Sequence, residues 1–172
     1  DEKATGEIAA GAGLGTSGGT VFFSIKENNY LGKGILIDTN VEINTESVKG
    51  SFTATNPNYN NSNKSVSFRL QADETDRLKD FGYKSSKTGF SFATDSEYLK
   101  DLRLGLETSN FYEKIETDST ASARQKKQEG NYWDSFLNIN FDFDKRNQKF
   151  KTSKGFRSYY FVNLPIISET YS

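Results

Sequence analysis

"GILIDTNVEIN" (residues 34–44) alternates almost without interruption. Ile35, Ile37, Val41 and Ile43 share one parity with Thr39, and Leu36, Asp38, Asn40, Glu42 and Asn44 share the other. A period of two describes a β-strand with one apolar and one polar face. Two architectures accommodate it. In a two-sheet sandwich the apolar face packs on a second sheet and the polar face meets water. In a membrane barrel the apolar face meets lipid and the polar face lines a wet lumen. This strand alone does not choose between them.

The pattern recurs along the chain. "GEIAAGAGLGTS" (6–17) places Ile8, Ala10, Ala12 and Leu14 on one parity, with Glu7 and glycines on the other. Val21, Phe23 and Ile25 repeat it, as do Val48, Phe52 and Ala54, then Val66, Phe68, Leu70 and Ala72. Phe90 and Phe92, then Leu102, Leu104 and Leu106, then Leu137, Ile139, Phe141 and Phe143 continue the series. "GFRSYYFVNLPII" (155–167) opens a further strand with a mixed face. The segments between carry turn chemistry rather than helical periodicity. The expectation is an all-β antiparallel meander of about nine strands, without helices, in one domain over residues 1–172. Residues 112–131, charged and small, read as a long, mobile, exposed loop.

Composition narrows the chemistry. The 22 basic and 23 acidic residues leave a net charge of -1, which gives no overall footprint for nucleic acid or an anionic membrane surface. Mean hydropathy is -0.73, and no apolar run approaches the ~20 residues of a membrane helix. Cysteine and histidine are absent. Disulfides, thiolate and imidazole catalysis, Ser-His hydrolases and the usual zinc sites are thereby excluded, so no enzyme is expected. "GAGLGTSGG" (11–19) lacks the Gly-Lys-Ser/Thr ending of a phosphate loop, and the cations Arg77 and Lys79 spoil "DETDRLKD" (73–80) as a calcium loop. No cofactor and no metal are expected. Methionine is also absent, so a processed or truncated piece without a signal peptide is expected.

Three features lean toward the barrel. The strand stretches run about 9–11 residues, the length of a tilted bilayer crossing. Aromatic residues gather near strand ends: Tyr30, Tyr59 and Tyr98 at alternate turns, and Phe81, Tyr83, Tyr112, Tyr132 and Trp133 at the others. Two girdles of that kind flank a lipid-facing band. The longest connection lies at one end. Because bacterial single-chain barrels have even strand numbers, about nine strands imply roughly the first half of a larger barrel.

Four motifs then fall in order: "EKATGEI" (2–8), "NNYLGKG" (28–34), "TNPNY" (55–59) and "DKRNQKFKTSKG" (144–155). Together they resemble the barrel of the bacterial surface antigen family, the outer-membrane protein assembly factors of the BamA type. Asn29, Tyr30, Leu31, Gly32 and Gly34 match the family's first periplasmic turn, and Thr55, Asn56 and Pro57 the turn after strand four. Asp144, Arg146, Asn147, Phe150, Thr152 and Gly155 match Asp-x-Arg-Asn-x-x-Phe-Pro-Thr-x-x-Gly, with Lys151 where proline is usual, a departure that bears on turn rigidity. The resemblance covers nearly the whole chain but part of the family's architecture. The POTRA domains before Asp1 and the C-terminal strands are expected to be absent.

The resemblance implies a Gram-negative outer-membrane location and the ATP-independent folding and insertion of other outer-membrane proteins. It implies as partners the outer-membrane lipid bilayer, nascent outer-membrane proteins and accessory assembly lipoproteins, and no nucleic acid. It assigns the client-strand pairing edge to the first strand, at Glu7, Ile8, Ala10, Ala12 and Leu14, where small side chains leave register weakly fixed. Two alternatives stand beside it. One is a two-partner secretion pore or passive channel, with Arg69, Asp73, Arg103 and Glu107 on the lumen face. The other is a soluble β-sandwich binding domain whose loop Tyr and Trp residues stack on sugars.

Overall fold

The structure, a computed structural model, describes residues 6–15 and 18–169. Nine antiparallel strands lie in one sheet in chain order: β1 (Gly6–Gly15), β2 (Gly18–Tyr30), β3 (Ile35–Asn44), β4 (Ser47–Asn56), β5 (Lys64–Arg77), β6 (Tyr83–Leu99), β7 (Leu102–Thr117), β8 (Gly130–Asp144) and β9 (Arg157–Ser168). The meander expected from alternation is the fold. Two single-turn helices, α1 (Leu78–Phe81) and α2 (Ala123–Lys126), and a 3-10 turn at Tyr59–Asn61 sit in connections read as helix-free. Four residues are too few to display a helical period.

The registers join the separate alternations into two continuous faces. One row runs Ile8, Ile25, Thr39, Phe52, Leu70, Phe90, Asn110 and Ser135, each opposite the next. A second runs Ala54, Phe68, Phe92, Thr108, Leu137 and Leu164. The polar members of the first row satisfy each other, with Ser135 Oγ donating to Asn110 Oδ1 at 2.6 Å. The opposite face carries Lys26, Asp38, Thr53, Arg69, Ser91 and Ser109 in one row.

No described residue forms a layer over the apolar face. Among the described residues only Ile115 and Ala121 are buried apolar residues, while Ile8 is 75% exposed and Val21, Leu70, Phe92 and Phe141 are exposed too. A sandwich would bury this face against a second sheet, and no second sheet exists among the described residues.

The band also has a height. On β7 and β8 it extends from Leu102 and Phe143 to Tyr112 and Trp133, partners at each end of the same pairing. Residues 102–112, at a rise of about 3.3 Å and a tilt near 40°, span about 25 Å, the height of a barrel's lipid-facing belt. Past Tyr112 and Trp133 the outward parity turns polar, with Glu74, Ser86, Lys114 and Asn131 in one row. Lys84 Nζ lies 2.7 Å from Glu74 there.

Of the three register shifts among the described residues of the sheet, two explain breaks in alternation. One falls between Glu27 and Tyr30, so that Tyr30 faces Ile35 and β2 reaches further than its pattern shows. The other falls where Pro165 meets Phe136. Proline cannot donate to a ladder and is tolerated at bulges. Even-numbered residues of β9 share the apolar face through Leu164, and Ile167 takes it afterwards, which is why its face reads as mixed.

The loop expected over 112–131 is shorter and more ordered. β7 continues to Thr117 and β8 begins at Gly130, which leaves 118–129. Ser122 caps α2 with a reciprocal box: its side chain accepts from the Gln125 backbone while the Gln125 side chain accepts from the Ser122 N–H at 2.9 Å. The Asp118 N–H donates to the Gly82 carbonyl at 2.9 Å, and Ala121 is buried. Gly82, at φ +70°, has no room for a Cβ beside Asp118, Thr120 and Ala121. The connection is pinned to the one between β5 and β6, a contact no local pattern encodes.

Candidate functional site

β1 is an edge strand. Ten consecutive pairs, from Gly6 opposite Glu27 to Gly15 opposite Gly18, tie it to β2 without a bulge, and its other edge pairs with nothing among the described residues. Ile8, Ala10, Ala12 and Leu14 project from the apolar face, and Leu14 is 94% exposed. Glu7 lies on the polar face opposite Lys26. Thr5 of the Thr-Gly-Glu segment, and Thr16 and Ser17 of the first turn, lie outside the described residues.

The glycines of β1 divide into two kinds. A Cβ at Gly11 would collide with the Phe22 ring, which lies across the strand, so this glycine has a packing reason. Gly13 and Gly15 meet nothing within 4 Å. The same device recurs at Gly89 beneath Phe111. Phe22 and Phe111 stand on the polar parity, against the pattern of their strands, and that exception was the sequence signal for both contacts.

The turn motifs cluster at one rim, formed by residues 31–34, 57–63, 100–101 and 145–156. Asn29 Oδ1 accepts from the Gly34 N–H at 2.6 Å, and its carbonyl accepts from Gly32 at 3.0 Å. Gly32 and Gly34 have positive φ, and so does Leu31 at 54°, which composition did not disclose. Tyr30 closes β2 at this rim, and Asn56 Oδ1 accepts from the Asn58 N–H just past Pro57.

The last turn is the most built. Arg146 grips Asp144 through Nε at 2.8 Å and a terminal nitrogen at 2.7 Å, which raises the guanidinium further above its ordinary pKa. The Asn147 side chain accepts from Ser153 and Lys154, and Thr152 Oγ1 donates to the Gln148 carbonyl at 2.8 Å. Gly155, at φ +91°, sits under the Lys145 carbonyl, where a Cβ would clash. Lys151 has φ 52°, which proline's fixed φ of about −65° forbids. The departure from the family pattern is therefore matched by a different backbone at that position.

The polar face carries the four charges read as lumen-facing. Arg69 Nε donates to Thr53 Oγ1 at 3.3 Å, and Arg103 Nε to Asp95 at 2.9 Å. Asp73 lies between Lys49 and Lys87 in a row of alternating sign from Glu42 to Glu113. Glu107 faces Ala93 and Asn138. A hollow of about 500 Å³ opens on this face beside Lys26, Asp38, Arg69 and Gln71.

A model of the Omp85 superfamily domain matches residues 29–164. The chain belongs to the Omp85 superfamily. Among solved structures, BamA from Haemophilus ducreyi lacking POTRA domains 1–3 matches with a TM-score of 0.69 at 20% sequence identity, over 96% of this chain and 35% of that one. This Omp85 chain therefore spans about a third of that relative's length, and the likeness is one of fold. A comparison with curated proteins finds no match. The nine-stranded open sheet has the all-antiparallel architecture of an Omp85 barrel and is consistent with part of one. The superfamily is one of outer-membrane protein insertion and transport.

Proposed function

We propose that this chain is the gate-bearing part of an outer-membrane protein insertion factor, in which the free edge of β1 offers its backbone to an incoming client strand. What supports this is the make-up of β1, whose small residues leave it a weakly held strand, in a chain of the Omp85 superfamily; a strand edge exposed to lipid finds no other backbone partner there. The empty space around Gly13 and Gly15 leaves room for a second strand to slide into register. A client would add to β1 by strand augmentation and be released as its own barrel closes.

On this reading the rim of 31–34, 57–63, 100–101 and 145–156 is periplasmic, and the connection 118–129 faces outside. The setting is the outer membrane of a Gram-negative bacterium, POTRA domains precede the barrel, and accessory lipoproteins dock on the full-length protein. The test is disulfide capture in a cysteine-free full-length parent. Single cysteines replacing Ile8, Ala10 or Ala12 should crosslink to the terminal strand of a stalled client. Cysteines at Ile37 or Thr39 in β3, which is paired on both sides, should not. Equal capture at β1 and β3 would favour a pore that transports without templating, of the two-partner secretion or passive-channel kind.

A further inference from the structure

We propose that the turn 145–156 is an anchor for anionic phospholipid headgroups, its lysines binding lipid phosphates while Phe150 enters the interface between headgroups and acyl chains. The turn carries Lys145, Arg146, Lys149, Lys151 and Lys154 and no acidic residue, in a chain whose totals nearly cancel. Local charge is thus segregated where overall charge is not. Arg146 is committed to Asp144, and the neighbouring Arg157 to Asp142 at 2.7 Å. The four lysines have no ion-pair partner among the described residues, and all are exposed.

The shape of the turn does not need them. Backbone bonds from Lys145 to Phe156 (2.9 Å) and Asn147 to Lys154 (3.0 Å), with the Asn147 and Thr152 side chains, close the hairpin. Phe150, flanked by two lysines, is 88% exposed and makes no ring contact among the described residues. Asp144, Arg146, Asn147, Thr152 and Gly155 all work within the turn, whereas Phe150 contributes nothing there. A mutually repelling set of cations around a bare aromatic ring costs stability unless something outside compensates it.

Position selects lipid over an acidic protein surface. Phe143 lies on the outward, apolar parity opposite Leu102. Its ring packs on Phe156 at 5.7 Å, and Lys145 Nζ lies 5.4 Å from its centre. An aromatic pair with an ammonium above it, on the outer side of a barrel rim, is the arrangement of an interfacial girdle with a snorkelling cation. The other lysines continue from that level. Phosphate is the anion available there, and juxtamembrane cations are drawn to anionic lipid over a Debye length.

This inference rests on the barrel and not on strand templating, so the crosslinking test and this one fail independently. The experiment compares amide hydrogen exchange of 145–156 in the full-length parent, in nanodiscs of phosphatidylcholine alone and with a quarter phosphatidylglycerol. The anionic lipid should slow exchange in this turn, less so in high salt. Each of Lys149→Gln, Lys151→Gln and Lys154→Gln should reduce the lipid-dependent part about fivefold, whereas Lys79→Gln and Lys127→Gln at the other rim should not. Phe150→Ser should weaken protection while leaving the hairpin closed. Equal exchange in both lipids, or an unchanged triple variant, overturns the proposal. A turn protected equally in both lipids would instead be covered by protein.

Discussion

Exchanging Lys151 for proline would force a backbone at φ 52° toward the opposite sign. Such a conflict costs about 1–3 kcal/mol, so in bilayers of phosphatidylcholine alone Lys151→Pro should lower stability against urea, and Lys151→Gly should be neutral or mildly stabilising. A second residue-level outcome concerns facing. Ile139 pairs with Leu106 and Val162 midway up the apolar band, and Asn140 pairs with Gly105 and Phe161 on the polar face. Ile139→Arg should cost roughly 2–4 kcal/mol and Asn140→Arg about 1 kcal/mol or less, measured by reversible unfolding in lipid vesicles. Facing was legible from sequence because it depends on parity alone. The sign of φ at Leu31 and Lys151 was not, because several residues together close each turn.

Among the elements, the strands announced themselves and their ends did not. Apart from Tyr112 and Ile115, residues 112–117 and 130–131 are polar, charged or small, yet they are strand, because β7 and β8 hold each other up as a ladder. Composition reports polarity, and a solvated ladder is as polar as a loop. The connection 118–129 is ordered by partners distant in sequence, Gly82 above all. Asp118 accepts from the Thr120 hydroxyl and backbone, which holds its carboxyl below the ordinary value of 3.8. A depressed carboxylate stabilises the folded connection fully above its unfolded pKa and loses that effect as pH falls through the folded one. Protection of 118–129 against hydrogen exchange should therefore persist near pH 4 and decline only at more acid pH, and Asp118→Asn should abolish that dependence. Trypsin added to intact cells should cut at Arg124, Lys126 or Lys127 and spare Lys33 if 118–129 faces outside. Cleavage at Lys33 alone would invert the orientation.

At the scale of the whole molecule, the sheet order followed from short connections and unbroken alternation, and the family from four motifs in register. What the sequence could not supply was where faces exchange parity, since the shifts at Glu27–Tyr30 and Pro165 are properties of two strands at once. Net charge alone concealed the sorting of charge, because a total near zero hides a turn with five cations that the stretch 145–156 displays. One feature of the assembled sheet changes how its energetics should be measured: with Ile115 and Ala121 as its only buried apolar residues among those described, it has almost no solid core. Shortening a side chain in a close-packed core leaves a void that rigid neighbours fill only in part, and the penalty varies from site to site for that reason. Acyl chains are fluid and close over a missing methyl group at once. Truncations such as Ile139→Ala or Leu106→Ala should therefore show the transfer cost alone, about 2 kcal/mol, with little scatter between positions. Two-state unfolding across a series of alanine variants on this face would then calibrate the lipid as a solvent rather than the protein as a solid.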